Sequence, residues 1–244
     1  MKQGLFTVLE NRALNARFSY LRLGGDCSAF TFPGQFVSLA LPGFFLRRPF
    51  SVCDWEDDRF SLLYEAVGRG TEQMRTLQPG SELDVLTGLG NGFTLSDAGD
   101  TPLLVGGGSG VSPLCGLARR LVENGITPRV ILGFNTKDDI VLPDAFTALG
   151  LSPLVTTVDG SLGIPGFVTD AMTVPHSSFY TCGPEKMMKA VAEKSPVSGQ
   201  LSFDARMGCG FGACMGCTRK TLSGPKRVCK DGPVFRKEEI LWDD

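Results

Sequence analysis

Four of the eight cysteines in this 244-residue chain lie close together near its end. They follow the spacing C-x4-C-x2-C-x11-C, at Cys209, Cys214, Cys217 and Cys229. Four thiolates at the plant-type spacing C-x4-C-x2-C…C are the ligand set of a [2Fe–2S] cluster. Tetrahedral Zn²⁺ is the alternative, but two C-x2-C pairs would then be expected, and only Cys214 and Cys217 form one. The spacing favours an iron–sulfur cluster and leaves zinc open.

The residues around this array suit a bound metal. Glycines at 208, 210, 212 and 216 let the backbone turn sharply and point N–H groups at sulfur. Residues 200–244 hold few large apolar side chains, so we expect a metal to supply stability there. The nearby basic side chains either offset the cluster's negative charge, face an acidic partner or form a solvated surface; they are Arg206, Arg219, Lys220, Lys226, Arg227 and Lys230.

Two earlier segments have residues that could bind a phosphorylated flavin. In the first, Arg48-Pro49-Phe50-Ser51, the arginine could pair with a phosphate and the serine hydroxyl could bond a flavin ring atom. The second, Gly68-Arg69-Gly70-Thr71, would place free backbone N–H groups at a helix N-terminus, which is a site for pyrophosphate. Each segment alone is weak, and together they favour a flavin site.

A glycine-rich turn follows a short apolar strand further along the chain. It reads Gly106-Gly107-Gly108-Ser109-Gly110 and leads into a helix that tolerates Pro113 in its first turn. At the carboxyl edge of a parallel sheet such a turn fits the pyrophosphate or nicotinamide end of a dinucleotide. Cys182-Gly183-Pro184 ends a later strand and would form the opposite lip of the same crevice.

Composition excludes several classes of protein. The 24 Lys and Arg against 26 Asp and Glu leave no basic excess for nucleic-acid binding. No apolar run reaches the roughly 18 residues that span a bilayer, and the N-terminus lacks a signal segment, so we expect a cytoplasmic protein. The single histidine, His176, excludes histidine-rich metal sites and is expected in a loop. Cysteines that stand alone in apolar segments are typical of small buried side chains: Cys27, Cys53, Cys115 and Cys182.

The pattern of elements predicts three domains. Strands at 6–9, 18–23, 35–40 and 60–67 indicate a small antiparallel β-barrel in residues 1–98, with one helix at 71–77 capped by Thr71. Strands at 102–105, 129–134 and 178–183 alternate with helices at 111–124 and 185–194, which indicates a doubly wound α/β domain in residues 99–199. Residues 200–244 form the small cluster domain.

With these motifs in chain order, the sequence resembles the ferredoxin–NADP reductase superfamily. Arg48 to Ser51 match its flavin motif R-x-[YF]-S, and the glycine-rich turn and Cys182-Gly183-Pro184 match its nicotinamide motifs. The cysteine-bearing tail makes the whole chain similar to the electron-transfer subunits of class 1B dihydroorotate dehydrogenase.

This resemblance implies a role for each motif. FAD would be held by Arg48, Pro49, Phe50, Ser51, Leu63, Tyr64, Glu65, Gly70 and Thr71. NAD would be bound by Gly106, Gly107, Gly108, Ser109, Gly110, Cys182 and Gly183, and the cluster by the four cysteines of the array. Asp138 and Asp139, after the second strand of the nucleotide domain, would disfavour a 2′-phosphate and so favour NAD over NADP.

The implied activity is electron transfer in pyrimidine (UMP) biosynthesis. A separate FMN-containing catalytic subunit would oxidise dihydroorotate, and electrons would cross the cluster to FAD and leave as hydride to NAD⁺. A heterotetramer of two plus two subunits is implied, with no acid–base residue for the pyrimidine in this chain. Alternatives are a reductase subunit of a hydrogenase or of a ferredoxin-dependent NAD(P)H transhydrogenase, a self-sufficient NAD(P)H:acceptor reductase, and a zinc-stapled nucleotide-binding module.

Overall fold

The computed structural model describes residues 1–242, and the first part of the chain is a closed antiparallel barrel. Its six strands are β1 (Lys2–Ala13), β2 (Phe18–Gly24), β3 (Phe36–Leu39), β4 (Arg48–Trp55), β5 (Arg59–Glu65) and β6 (Glu82–Leu89). They follow the order β1-β2-β5-β4-β3-β6, and β6 pairs with β1 to close the barrel. The predicted antiparallel barrel is confirmed.

Alternating side chains build the barrel core. Along β6, Leu83, Val85, Thr87 and Leu89 are buried while the residues that alternate with them are more exposed, as period-two side-chain direction requires. Aromatic side chains fill the centre, where the ring of Phe60 lies 5.2 Å from that of Phe6 and 5.4 Å from that of Phe30. This packing fixes the register of the strands that carry the Arg48 motif.

Nine further strands follow the barrel. They are β7 (Leu103–Gly107), β8 (Arg129–Phe134), β9 (Leu154–Thr157), β10 (Ile164–Pro165), β11 (Phe179–Cys182), β12 (Gly199–Ser202), β13 (Thr218–Thr221), β14 (Gly224–Arg227) and β15 (Val234–Arg236). Seven of them form one sheet in the order β10-β9-β8-β7-β11-β12-β15, parallel except for β15. The chain builds outward from β7 to β10 and then crosses to the other side of β7. The gap between β7 and β11 is therefore the topological switch point, where ligands bind in such sheets.

The helices are short, and one differs from its prediction. They are α1 (Arg69–Met74), α2 (Ser112–Glu123), α3 (Pro143–Thr147) and α4 (Glu185–Lys194). The prediction of a 71–77 helix capped by Thr71 is wrong: the cap is Gly68, and the Thr71 hydroxyl reaches back to accept the N–H groups of Val67 at 2.9 Å and Gly68 at 3.2 Å. Within residues 1–242, no helix has the length and apolar character needed to cross a bilayer.

The last part of the chain is split between the sheet and a loop-rich segment. Strands β12 and β15 pair antiparallel at the edge of the nucleotide sheet, so the boundary expected at 199/200 falls within β12. Between these strands lies the segment that carries the cysteine array, residues 204–231, called here the cluster segment. Its regular structure is the hairpin of β13 and β14. The predicted 200–244 domain includes Asp243 and Asp244, which lie outside the described residues.

Charged side chains join the barrel to the nucleotide domain. The Arg17 guanidinium donates to Glu65 at 2.6 Å and to Asp139 at 2.8 Å. Arg119 of α2 donates from Nε to Asp54 of β4 at 2.9 Å. These pairs join helix α2 and the turn after β8 to the barrel.

Candidate functional site

A small open cleft of about 50 Å³ is lined by all three parts of the chain. The barrel contributes Phe36, Pro49, Phe50 and Ser51, the nucleotide sheet contributes Cys182 and Ser202, and the chain after β12 contributes Phe203, Asp204, Met207 and Pro233. The predicted flavin motif and the predicted nicotinamide lip thus meet in one place. The cluster segment reaches the same place, because Met207 lies two residues before Cys209.

Arg48 begins β4 and lies over the start of α1. Its guanidinium is 4.8 Å from the ring centre of Phe44, and a Cβ built on Gly70 would come within 3.1 Å of Arg48 Nε. Glycine therefore leaves room for the guanidinium against the helix. Among the described residues, neither Arg48 nor Arg69 forms an ion pair with a carboxylate. This cradle fits a phosphate of a flavin nucleotide.

Three residues expected at the flavin are turned elsewhere. The Tyr64 side chain is buried inside the barrel, where its hydroxyl donates to Asn11 at 3.0 Å. Leu63 packs into the core that the barrel shares with the nucleotide domain, and Glu65 binds Arg17. None of these side chains lines the cleft. The strand alternation of β5 explains this, because neighbouring side chains point into different cores.

The glycine-rich turn and the Cys182 lip meet at the switch point. Strand β11 pairs with β7 so that Cys182 lies opposite Gly106. The turn then folds back against the lip: a Cβ on Gly110 would lie 2.3 Å from the Cys182 carbonyl oxygen. Only glycine permits this contact, since any side chain would separate the two loops. Ser109 stays exposed beside them. The arrangement fits a dinucleotide at the carboxyl ends of β7 and β11.

The two aspartates expected to select NAD have different surroundings. Asp139 is buried and bound to Arg17 at 2.8 Å, so its carboxylate is engaged by the barrel. Asp138 is exposed, and its backbone N–H donates to the Thr136 hydroxyl at 3.2 Å. Of the pair, Asp138 is the one whose carboxylate forms no ion pair within residues 1–242 and lies at the surface.

The four cysteines are arranged as two pairs. Cys209 Sγ accepts backbone N–H groups of Ala213 at 3.2 Å and Cys214 at 3.4 Å. Cys217 Sγ accepts the N–H of Cys229 at 3.4 Å, because the β13–β14 hairpin returns the chain to Cys217. The eleven residues between these two cysteines are mostly this hairpin. Cys214 is exposed and Cys209 half-buried, whereas Cys217 and Cys229 are buried.

The loop that carries the first pair needs unusual backbone angles. Gly210 and Gly212 have φ of 78° and 94°, in the left-handed region that favours glycine. Arg227 fastens this loop to the hairpin by donating to the Gly212 carbonyl at 2.9 Å while Asp231 binds its Nε at 3.0 Å. The predicted glycine role is thus met at these two positions.

The thiols have opposed ionisation preferences. Burial raises the pKa of Cys209, but N–H groups of Cys214, Phe211 and Ala213 outweigh it and lower that pKa to about 6. Burial and the adjacent Cys217 raise the pKa of Cys229 to about 12. Four thiolates so close together require a compensating cation. The chemistry of the donor set therefore calls for a metal centre.

The pairing of the thiols bears on which metal fits. A single Zn²⁺ holds four sulfurs at about 2.3 Å, whereas a [2Fe–2S] cluster spreads its four thiolates over two irons. The contacts that join Cys209 to Cys214 and Cys217 to Cys229 match the second pattern. The residues present fit a two-iron cluster.

Several cleft residues carried no signal in the sequence. Asp204, Phe203 and Met207 stand between the end of β12 and the first cysteine, and no motif marks them. Arg219 of β13 was counted only as one of the basic residues, yet its guanidinium lies 3.9 Å over the Phe203 ring and binds Glu185 of α4 at 2.6 Å. The only available signal was proximity of the cluster segment to β12.

Solved structures with this architecture include reductases. A chain of the NADH-dependent reduced ferredoxin-NADP oxidoreductase, solved for insight into flavin-based electron bifurcation, aligns with TM-score 0.87 and 30% identity over 98% of this chain and 90% of that one. A ferredoxin NADP⁺ reductase from Neisseria gonorrhoeae with bound FAD and NADP has the same fold, with TM-score 0.67 and 16% identity over 80% of this chain and 90% of that one. The fold and the site define an oxidoreductase of the ferredoxin-reductase type with an added iron–sulfur segment.

Two family models and curated relatives show which family of ferredoxin-reductase-type proteins this chain resembles. A model of the iron–sulfur cluster binding domain of dihydroorotate dehydrogenase B matches residues 204–241, and an oxidoreductase NAD-binding domain matches residues 104–193. The dihydroorotate dehydrogenase B (NAD(+)) electron transfer subunit of Bacillus cereus (strain Q1) is 39% identical over 98% of both chains. That of Bacillus anthracis (strain CDC 684 / NRRL 3495) is 38% identical over the same share. The chain belongs to the family of dihydroorotate dehydrogenase B electron transfer subunits.

Proposed function

We propose that this chain carries electrons between a dihydroorotate dehydrogenase catalytic subunit and NAD⁺, through a [2Fe–2S] cluster and FAD, in pyrimidine (UMP) biosynthesis. The observation that carries the proposal is the cleft lined by the barrel, the nucleotide sheet and the cluster segment. A flavin placed there has the nicotinamide lip and the first cysteine loop as neighbours, as a relay between them requires. The names of the curated relatives agree with this role.

The barrel would hold FAD. Arg48 would pair with its phosphate beside Gly70 and Thr71, and Pro49, Phe50 and Ser51 would line the flavin ring in the cleft. The Ser51 hydroxyl is the polar group of the barrel that faces this cleft. The contribution to FAD binding would be indirect for three residues of β5, because their side chains hold the strand in place and bind Arg17: Leu63, Tyr64 and Glu65.

The nucleotide sheet would hold NAD at its switch point. The backbone of Gly106, Gly107, Gly108, Ser109 and Gly110 would receive the dinucleotide, with Cys182 and Gly183 as the facing lip. Burial raises the pKa of the Cys182 thiol to about 12, so this side chain stays neutral and does not repel a reduced flavin or a hydride. Its role would be to position the nicotinamide.

The four cysteines would bind the cluster and set its distance to the cleft. When bound, the cluster supplies single-electron transfer, and FAD exchanges one or two electrons and passes hydride to NAD⁺. Cys209 and Cys214 would hold the iron nearer the surface, and Cys217 and Cys229 the buried iron. The protein's task is to fix these separations, since no residue of the chain needs to act on the pyrimidine.

The exposed side of the cluster segment would face the partner. Phe211 and Met215 are 44% and 52% exposed beside the cysteine loop, which is an apolar patch at the point where electrons would enter. Four basic residues around it form no ion pair within the described part of the chain: Arg206, Lys220, Lys226 and Lys230. The partner would be an FMN-containing catalytic subunit, in a heterotetramer of two plus two.

A second function has one specific observation in its favour. The NADH-dependent reduced ferredoxin-NADP oxidoreductase chain aligns over 98% of this chain at 30% identity, which keeps a ferredoxin-linked transhydrogenase role open. Affinity purification of the tagged chain from its own host separates the two roles. A co-purifying FMN protein that bleaches on addition of dihydroorotate supports the first, and one that responds only to reduced ferredoxin supports the second.

An anaerobic absorbance titration tests the proposed relay. The purified chain is titrated with NADH and, in parallel, with NADPH, after its iron, sulfide, zinc and FAD contents have been determined. We expect two irons and one FAD per chain, with flavin and cluster bands bleached at lower NADH than NADPH. Zinc without iron, or a flavin that ignores both nucleotides after reconstitution, would overturn the proposal and favour the zinc-stapled module.

A further inference from the structure

The proposed electron route requires a proton in the cleft. Reduction of the nicotinamide follows NAD⁺ + 2 e⁻ + H⁺ → NADH, so each hydride carries two electrons and one proton. An iron–sulfur cluster delivers electrons one at a time and without protons. If the proposed function holds, one proton must therefore enter the cleft for every two electrons that arrive, and one must leave when the flow is reversed.

Two titratable side chains line the cleft in the described part of the chain, Cys182 and Asp204. Burial raises the pKa of the Cys182 thiol to about 12, which keeps its proton bound near neutral pH. The hydroxyls of Ser51 and Ser202 can pass a proton along but cannot release one at that pH. Asp204 is the remaining group that can exchange a proton with its surroundings.

The position of Asp204 suits this task. It follows β12 directly and begins the cluster segment, between the nicotinamide lip and the cysteine loop. Its carboxylate accepts the N–H of Ala205 at 2.8 Å and has no other hydrogen-bond donor among the described residues. The side chain is exposed to the open cleft, while the protein crowds its other sides. Water can therefore reach the carboxyl group from the mouth of the cleft.

No positively charged side chain of the described residues is paired with Asp204, so none holds its carboxyl group in the ionised form. Arg219 of β13 is bound to Glu185 and Arg227 of β14 to Asp231. The neutral Cys182 thiol of β11 is close enough to feel its charge, and Ser51 of the barrel lines the same cleft. The protein atoms beside the carboxyl group remove part of its water and so raise the pKa of Asp204 above its ordinary value.

We propose that Asp204 carries the proton that accompanies electron transfer between the cluster and the flavin held in this cleft. As two electrons arrive, an oxygen of the Asp204 carboxyl group would give its proton to the flavin bound in the cleft, which takes it up with the two electrons, and the carboxylate would take a new proton from water. When electrons flow from NADH to the cluster, the carboxylate accepts the proton that the hydride brought. No outside oxidant or reductant is needed beyond NAD(H) and the cluster.

Two reactions of the holoprotein separate this role from others. Hydride exchange from NADH to thio-NAD⁺ needs no outside proton, because each hydride brings its own. Reduction of cytochrome c by NADH passes single electrons and must release a proton. The cluster-dependent rate of cytochrome c reduction is the native rate minus the rate of the Cys214→Ser variant.

We expect Asp204→Asn, which keeps the shape and the Ala205 contact, to slow the cluster-dependent reaction on the order of 100-fold, the usual worth of a general acid–base group. Hydride exchange should keep its native rate, and Asp204→Glu should restore much of the loss. The matched control is Asp57→Asn, an exposed aspartate in the turn between β4 and β5. It should behave as the native chain in both reactions.

Infrared difference spectra provide a readout that does not depend on turnover. The reduced-minus-oxidised spectrum of the native protein should contain a carboxyl C=O band that shifts in D₂O, that Asp204→Asn lacks and that Asp57→Asn keeps. Should Asp204→Asn fail to retain FAD, the native pH profile decides: cytochrome c reduction should follow an ionisation above the ordinary aspartate range that hydride exchange does not follow.

Three outcomes would overturn the role of Asp204. The first is native cytochrome c reduction in Asp204→Asn, which would mean that water protonates the site directly. The second is an equal loss in both reactions, which would make Asp204 a residue that positions the nicotinamide. The third is a native pH profile common to both reactions. If the native protein performs neither reaction, the proposed function itself is wrong, which is a different result.

Discussion

The barrel and the cluster segment place their functional residues by different means. In the barrel, strand pairing and a core of fully buried aromatic and aliphatic side chains fix β4, and with it Arg48 and Ser51. In the cluster segment, Cys217, Val228 and Cys229 are buried, but backbone N–H groups bonded to sulfur and the Arg227–Asp231 pair hold the cysteine loop, and Phe211 and Met215 remain exposed. The barrel is therefore preformed for its cofactor, whereas the cluster segment depends on what its cysteines bind.

Removal of the metal centre should have the largest effect and should be confined to one region. A structural metal site contributes on the order of 10 kcal/mol to the folding of the segment that binds it. We expect Cys217→Ser to abolish hydrogen-exchange protection in β13 and β14 while the barrel strands keep theirs.

The control for this experiment is Cys27→Ala, which removes a buried thiol from the barrel core and leaves the cysteine array intact. It should retain the cluster. Equal loss of protection in barrel and cluster segment after Cys217→Ser would contradict the contrast between the two regions.

Truncation of one buried side chain tests whether the barrel depends on its packed core. Phe60 is 1% exposed and contacts the rings of Phe6 and Phe30. We expect Phe60→Ala to lower the free energy of unfolding by about 3–5 kcal/mol, through lost burial and the cavity left behind. Urea denaturation measures this change. Phe45→Ala is the matched control, because that side chain is 100% exposed, and an equal loss in both variants would rule out a core effect.

Arg219 joins the two kinds of region, and its removal should have an intermediate effect. Its guanidinium lies 3.9 Å from the ring centre of Phe203 and binds Glu185 at 2.6 Å. We expect Arg219→Met to cost about 1–2 kcal/mol, measured as faster hydrogen exchange in the β13–β14 hairpin. Arg219→Lys keeps the charge without the planar stacking, so its hydrogen-exchange rate should lie between those of the native chain and Arg219→Met. Unchanged exchange in both variants would mean that the hairpin is held by its cysteines alone.

The smallest expected effect is a pH-dependent one in the barrel. The Arg47 guanidinium, 2.6 Å from Asp84, holds the pKa of that carboxyl group below its ordinary value. Such a pair stabilises the fold above the unfolded-state pKa of about 3.9 and loses its effect as pH falls through the lower folded-state pKa. Asp84→Asn should therefore cost about 0.2–1 kcal/mol at neutral pH.

Urea denaturation at neutral pH and near pH 3 measures this difference, which should shrink at the lower pH. Asp57→Asn serves as the control, since Asp57 forms no ion pair within the described residues. A cost for Asp84→Asn that is the same at both pH values would exclude the ion pair as its cause.

Local patterns in the sequence were sufficient for some of the elements and for the motifs. The strand at Phe18–Gly24 and the helix at Glu185–Lys194 depend on side chains close in sequence and were predicted, whereas β6 was not among the predicted strands. The cysteine spacing was informative for the same reason, because the hairpin that joins Cys217 to Cys229 is local. The start of α1 was misjudged, since a glycine cap leaves a weaker signal than the nearby threonine.

Contacts between distant segments could not be predicted in the same way. Asp139 belongs to a motif expected to select the nucleotide, yet it binds Arg17 of the barrel across 122 positions of sequence. Tyr64 and Glu65 remain predicted flavin residues, and the sequence did not reveal that their side chains bind Asn11 in the barrel and Arg17. Asp204 reaches the cleft because β12 ends there, which only the order of strands in the sheet determines.

The central claim is that electrons pass between the partner and the flavin through the cluster. The direct test is rapid anaerobic mixing of dihydroorotate with the complex of this chain and its catalytic subunit, native or Cys214→Ser, with the flavin and cluster bands followed separately. We expect dihydroorotate to bleach both bands in the native complex but not the FAD of the variant, which NADH should still bleach. Reduction of that FAD by dihydroorotate at the native rate in a co-eluting Cys214→Ser complex would contradict the account.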